Sequence, residues 1–191
     1  MLAALFQAVL RPDLFYLNPR GRLLIDRHGW TLIAVRWLYW SAVFSLLRDY
    51  HGNWKPFVAP PFGLSLDSYA ALQRRFSVLF GFALMAAIAG SLAVYLRLAG
   101  KAVSATKVLN VLGVTFFFPS VVALFFDLIL VARGRWKVAI LAPLHTLLLI
   151  WEAAATMAVL DKIYQIELRH RIADIALIMG AWIAAAVSLW R

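Results

Sequence analysis

The chain has 191 residues, 64% of them hydrophobic and 15% charged, with 19 Lys plus Arg against 9 Asp plus Glu. Soluble domains run at about 45–50% apolar and about 25% charged, so this composition excludes a soluble enzyme, a disordered tail and a nucleic-acid-binding domain. Five apolar segments of about 20 residues would take up roughly half the chain, which is the arithmetic of a small polytopic membrane protein.

The formal charge of +10 comes from single and paired basic residues beside apolar runs. That placement suits side chains meeting anionic headgroups. The chain has no cysteine, so disulfides, thiolate chemistry, S-palmitoylation and Cys-ligated metal centres are excluded.

At the N-terminus, Leu2, Leu5, Phe6, Val9 and Leu10 share one helix face. Met1–Leu10 is too short to span, so it reads as an interfacial amphipathic helix ended by Pro12. It has no basic flank before the apolar stretch, and Arg11-Pro12-Asp13 follows it, so it is not a signal peptide. Residues 1–29 form an interfacial and cytoplasmic segment, and residues 30–191 a five-helix membrane domain. The fold class expected is therefore all-α: five transmembrane helices plus the short N-terminal helix.

The first span covers about Trp30–Leu47, with Trp30, Trp37, Tyr39 and Trp40 giving it an interfacial aromatic character. A connection over residues 48–75 follows. Gly52, Pro56, Pro60, Pro61 and Gly63 keep it from forming one helix. Trp54, Phe57, Phe62 and Tyr69 make it aromatic enough to lie on the bilayer interface or cap the bundle. Ser65 or Asp67 can cap the helix that leads into the second span, about Phe76–Leu98. The third span, about Val108–Val131, carries Pro119, and the fourth, about Val138–Leu160, carries Pro143.

No Gly or Pro occurs between Leu144 and Met179. Asp161–Arg171 can therefore be a helical extension instead of a loop, with Glu167 and Arg171 in the favourable i, i+4 order. The chain must still turn somewhere here for a fifth span to exist. The fifth span is about Ile172–Trp190. On it Ala176, Gly180, Ala184 and Ser188 recur every four residues, a small-residue face on which helices approach closely. Ala83, Ala87 and Ser91 give the second span a similar stripe. Such faces serve packing inside a bundle or dimerisation. Five spans put the termini on opposite sides, and ten basic residues against eight favour a cytoplasmic N-terminus.

Ionisable residues inside spans are expensive and mark candidate sites. Four stand out: Arg36, Asp127, His145 and Glu152. His145 and Glu152 are two turns apart on one face of the fourth span. Across the antiparallel hairpin Asp127 and His145 reach similar depth, and Arg36 and Glu152 lie towards the same side. Two pairs are expected, Asp127–His145 and Arg36–Glu152. Such pairs either hold helices together or form a proton or ion path. No zincin helix, nucleophile elbow or Walker loop is present. One His with one Glu is too sparse for a zinc site. The expectation is a protein that is not an enzyme, with no cofactor and no metal.

The stretch Tyr69–Ser120 carries a family resemblance. It reads Tyr69-Ala-Ala-Leu-Gln73, then the second span, then Tyr95-Leu-Arg-Leu-Ala-Gly100-Lys101-Ala-Val-Ser-Ala-Thr-Lys107-Val-Leu-Asn-Val-Leu-Gly113, and then Pro119. It resembles the prokaryotic branch of the Ypt-interacting protein (Yip) family, as does Leu14-Phe-Tyr-Leu-Asn-Pro19-Arg before the first span. The loop Gly100-Lys101-Ala-Val-Ser104 lacks that family's second glycine and aromatic. The resemblance implies a five-helix integral membrane protein without catalysis, and it supplies no catalytic residues.

Three functions are carried forward. The first is a non-enzymatic Yip-like protein of a bacterial inner membrane, acting through helix, lipid or protein contacts. The second is an accessory subunit of a larger respiratory or photosynthetic complex. The third is a small transporter or channel using Asp127, His145 and Glu152. The expected partners are membrane lipids and a membrane protein or second copy, with no nucleic acid.

Overall fold

The structure, a computed structural model, describes residues 10–51, 63–133 and 138–189. All regular structure among these residues is helical: α1 (Pro12–Leu17), α2 (Pro19–Leu23), a π-helical turn (Leu24–His28), α3 (Gly29–His51), α4 (Leu66–Leu98), α5 (Ala105–Ala132), α6 (Val138–Tyr164) and α7 (Leu168–Leu189). Three stretches are long and apolar enough to cross a membrane: Arg75–Leu98, Ala105–Leu130 and Pro143–Tyr164. They lie in α4, α5 and α6. The helices α3 and α7 contain the remaining two expected segments; α3 carries three Trp and two Tyr, and α7 carries Arg169, Arg171 and Asp174.

The expected N-terminal helix lies outside the described residues except for Leu10. Pro12 opens α1 at its first position instead of merely closing what precedes it. A missing N–H is harmless there and the fixed φ suits a helix. The device repeats at once: Asn18 caps α2, its side chain accepting from Arg20 N at 3.0 Å, and Pro19 starts the helix. This arm is not a separate segment. Phe15, Tyr16 and Ile25 are buried in the common core, Phe15 meets Phe118 edge-on at 6.0 Å, and α1 packs on α6.

The central helix is α5, which packs against α3, α4, α6 and the π-helical turn. It buries Val108, Val111, Leu112, Val114 and Phe116 nearly all round, as expected of a helix without a polar face. By contrast α4 buries one stripe, Met85, Ile88, Leu92 and Leu96, and leaves Leu79, Val94 and Leu98 exposed. It also begins ten residues before the expected span. Ser65 is its cap, accepting from Ser68 N at 3.2 Å.

Glycines set the closest crossings. A Cβ at Gly113 would overlap the carbonyl of Gly29, and one at Gly29 would overlap the backbone of Asn110. The α3 and α5 backbones therefore touch. Asn110 seals the same crossing, donating from Nδ2 to the Asp26 carbonyl at 3.1 Å and accepting from Trp30 N at 2.9 Å. These bonds serve backbone groups at the π-helical turn, where the ordinary helical ladder is interrupted.

The α4–α5 turn is closed by Gly100 in the left-handed region (φ +80°), with Lys101 N donating to Leu96 O at 3.0 Å. The α6–α7 turn uses no glycine. Gln165 takes φ +52°, and Asp161 accepts from Ile166 N at 3.1 Å and from Arg171 at 2.8 Å. The expected helical extension is thus broken over residues 165–167. Arg171 pairs with Asp161 and not with Glu167, which faces Arg169 in solvent at 3.0 Å. Asp161 wins because it can satisfy the turn's N–H and the guanidinium together.

Candidate functional site

The four ionisable residues Arg36, Asp127, His145 and Glu152 come together as two pairs. Arg36 on α3 lies 3.0 Å from Glu152 Oε1 on α6, and its Nη2 donates to Oε2 at 3.3 Å. Both side chains are buried. The guanidinium carbon sits 5.1 Å from the Phe116 ring centre and 5.3 Å from that of Trp182. Trp182 in turn stacks on Phe116 at 5.9 Å and on Trp37 at 5.8 Å. Arg36 Nε and Nη1 have no hydrogen-bond acceptor, so aromatic faces supply part of the compensation that oxygen atoms would give. Packed beneath is a hydroxyl pair, Thr115 and Thr156, with their Oγ1 atoms 2.7 Å apart. Thr156 also reaches its own Glu152 carbonyl at 2.8 Å, fixing the turn that carries the carboxylate.

Asp127 on α5 and His145 on α6 form the second pair, with His145 Nε2 at 3.1 Å from Oδ2 and 3.2 Å from Oδ1. An ionised carboxylate only accepts, so Nε2 carries the proton. Trp40 packs edge-on against the imidazole at 5.8 Å. The two pairs stand about 10 Å apart along α6, seven residues at the helical rise. Beside them the Tyr39 hydroxyl bonds Ser120 Oγ, tying α3 to α5.

The small-residue face of α7 does not pack inside the bundle. Ala176, Gly180 and Ala184 are exposed, and a Cβ at Gly180 would meet nothing within 4 Å. Ser188 lies in the helix, but its side chain is outside the described residues. The inward face of α7 is the one carrying Asp174, Ile178 and Trp182, spaced by four. The comparable residues of α4, Ala83, Ala87 and Ser91, also face outward, because the larger Met85, Ile88 and Leu92 hold the core side.

Asp174 escaped the sequence reading. It is 0% exposed, and neither carboxylate oxygen has a hydrogen-bond partner among the described residues. Its one signal was a carboxylate breaking the apolar run that begins at Ile172. One turn earlier, His170 Nδ1 lies 2.8 Å from the Tyr95 hydroxyl of α4. Asn110 was also missed, since an amide beside a helix start carries no distinctive spacing.

Among the described residues no group of three or more His, Asp or Glu is arranged to hold a metal ion. A shallow, open depression of about 450 Å³ lies at the α6–α7 turn. It is lined by Asp161, Lys162, Glu167 and Arg171; Asp161 is paired with Arg171, and Glu167 with Arg169. Among the described residues the protein is thus a helical bundle with three helices apolar enough to cross a membrane and two ionisable side-chain pairs between helices, Arg36–Glu152 buried and Asp127–His145 partly so. No protein family matches the sequence, and neither a curated protein nor a solved structure matches it significantly.

Proposed function

We propose that this chain is a five-helix, Yip-like integral membrane protein that performs no catalysis and acts through helix, lipid or protein contacts. In this reading α3 and α7 join the three most apolar helices as spans. At 23 and 22 residues they are about 33–35 Å long, enough for a hydrocarbon core of about 30 Å. Their outward side chains, Trp30, Val35 and Leu38 on α3 and Ile172 and Ile183 on α7, are apolar. The membrane is a bacterial inner membrane with the N-terminus in the cytoplasm.

The observation that carries the reading is the mutual engagement of the interior charges. Arg36 holds Glu152 and Asp127 holds His145, so these groups join α3 to α6 and α5 to α6. Reconstitution in liposomes tests it. Glu152→Gln is expected to lower thermal stability in detergent with no proton-coupled flux in either protein. Flux in the unsubstituted protein that Glu152→Gln abolishes would establish the transporter instead.

The outward small-residue face of α7 favours a second reading, an accessory subunit that docks this helix on a larger membrane complex. Native mass after gentle solubilisation separates the two. A monomer or homodimer supports the first, and a defined large assembly the second.

A further inference from the structure

Three features of the fold bear on Asp174. Its side chain sits on the inward face of α7, which packs on α4 and α6. Both of its oxygens are sealed from solvent and lack a donor. Its neighbours on the same turns are apolar: Ile178 belongs to the hydrophobic core and Ile175 packs against it. An ionised carboxylate in such surroundings is far more costly than a neutral acid, and it persists only with a cation or several N–H groups around it.

The charged and titratable groups near this part of α7 are otherwise occupied. From α4, Tyr95 bonds His170 and Arg97 donates to the Val103 carbonyl at 2.7 Å. From the end of α6, Asp161 holds Arg171, while neither Lys162 nor Tyr164 hydrogen-bonds Asp174. Two turns deeper, Arg36 holds Glu152. On α7 itself, His170 lies one turn away and Arg171 points to Asp161. A lone carboxylate is too poor a donor set for a divalent cation, which takes six or more oxygens.

We propose that Asp174 is a buried proton-binding site, reached from the α6–α7 end of the bundle through His170 at its contact with Tyr95. The ligand is a proton and the site is a single carboxyl group. His170 is half-buried and stands about 6 Å along the helix axis from Asp174. A hydronium ion gives its proton to the imidazole and leaves as water, and a swing of the Asp174 carboxylate into hydrogen-bond reach lets the imidazolium pass the proton on, leaving a neutral imidazole and a neutral acid. The exchange is balanced and needs no other reactant. It depends on burial within the bundle and is independent of the contact role proposed above.

Infrared spectroscopy of the full chain in phosphatidylcholine vesicles tests the site, because a protonated carboxyl has a carbonyl stretch that a carboxylate lacks. At neutral pH that band is expected in the unsubstituted protein, shifted by carboxyl-13C aspartate labelling and lost in Asp174→Asn. In His170→Gln it is expected to persist while its hydrogen–deuterium exchange slows. Absence of a label-sensitive band at neutral pH, or its survival in Asp174→Asn, overturns the site. Unchanged exchange in His170→Gln overturns the route. Should Asp174→Asn fail to fold, Asp127→Asn makes the assignment. The band persists there if it belongs to Asp174, and its loss overturns the proposal.

Discussion

The two charge pairs of α6 are built from the same kinds of groups in different surroundings. In the Arg36–Glu152 pair the side chains are 7% and 2% exposed, and aromatic rings cover the cation. In the Asp127–His145 pair the carboxylate is 1% exposed but the imidazole 24%, so one partner can trade its bond for water. The deep pair has no such alternative. Depth, more than distance, separates them: both are about 3 Å contacts, yet only in the first are both partners cut off from water when the pair is broken.

The sharpest way to break the comparison is Glu152→Leu. It leaves Arg36 buried without a counter-charge and should cost about 3–5 kcal/mol. Adding Arg36→Met should restore most of that loss, since an apolar pair of similar volume replaces a desolvated ion pair. Thermal unfolding in detergent reads both, and a double variant no more stable than the single one removes the argument. Gly113→Val comes next. It drives a side chain into the Gly29 carbonyl and should cost about 1–3 kcal/mol by separating α3 from α5. Equal stability to the unsubstituted protein would show that the crossing is looser than drawn.

Asp127→Asn should cost about 1–2 kcal/mol, less than Glu152→Leu, because an amide still bonds the imidazole and His145 reaches water. A larger loss than for Glu152→Leu would reverse the ranking by depth. The smallest effect belongs outside the membrane. The Arg11 hydrogen bond, at 3.1 Å, holds the Asp13 carboxyl below its ordinary value. Its folded value is depressed, so its contribution is present above the unfolded value of about 3.9 and is lost as pH falls through the lower folded value. Asp13→Asn should therefore matter slightly at neutral pH and not at all in strong acid. An acid-range difference would contradict this.

Both pairs were legible from the chain because a helix converts residue number into depth. Counting turns from the ends of two antiparallel segments places Asp127 beside His145 and Arg36 beside Glu152. The same counting gave a face for Ala176, Gly180 and Ala184 but not its direction, which depends on larger neighbours winning the inward side. The α6–α7 break was not legible. A turn closed by Gln165 and an aspartate five residues before the N–H it binds leaves no glycine or proline to mark it. Asp174 was passed over because it falls where a span could still be emerging into headgroups, and only packing by α4 and α6 reveals it as sealed.

The Arg36–Glu152 bond joins residues 116 positions apart, which bears on how the protein is made. At about 5–20 residues per second, the ribosome needs roughly 6–23 s to deliver Glu152 after Arg36. During that interval α3 carries a guanidinium whose counter-charge does not yet exist, and an arm whose docking helix α6 is still unsynthesised. The α3 helix is therefore not fully secured until α6 is made, and a synthesis that stops before Glu152 leaves a chain with an unmatched cation.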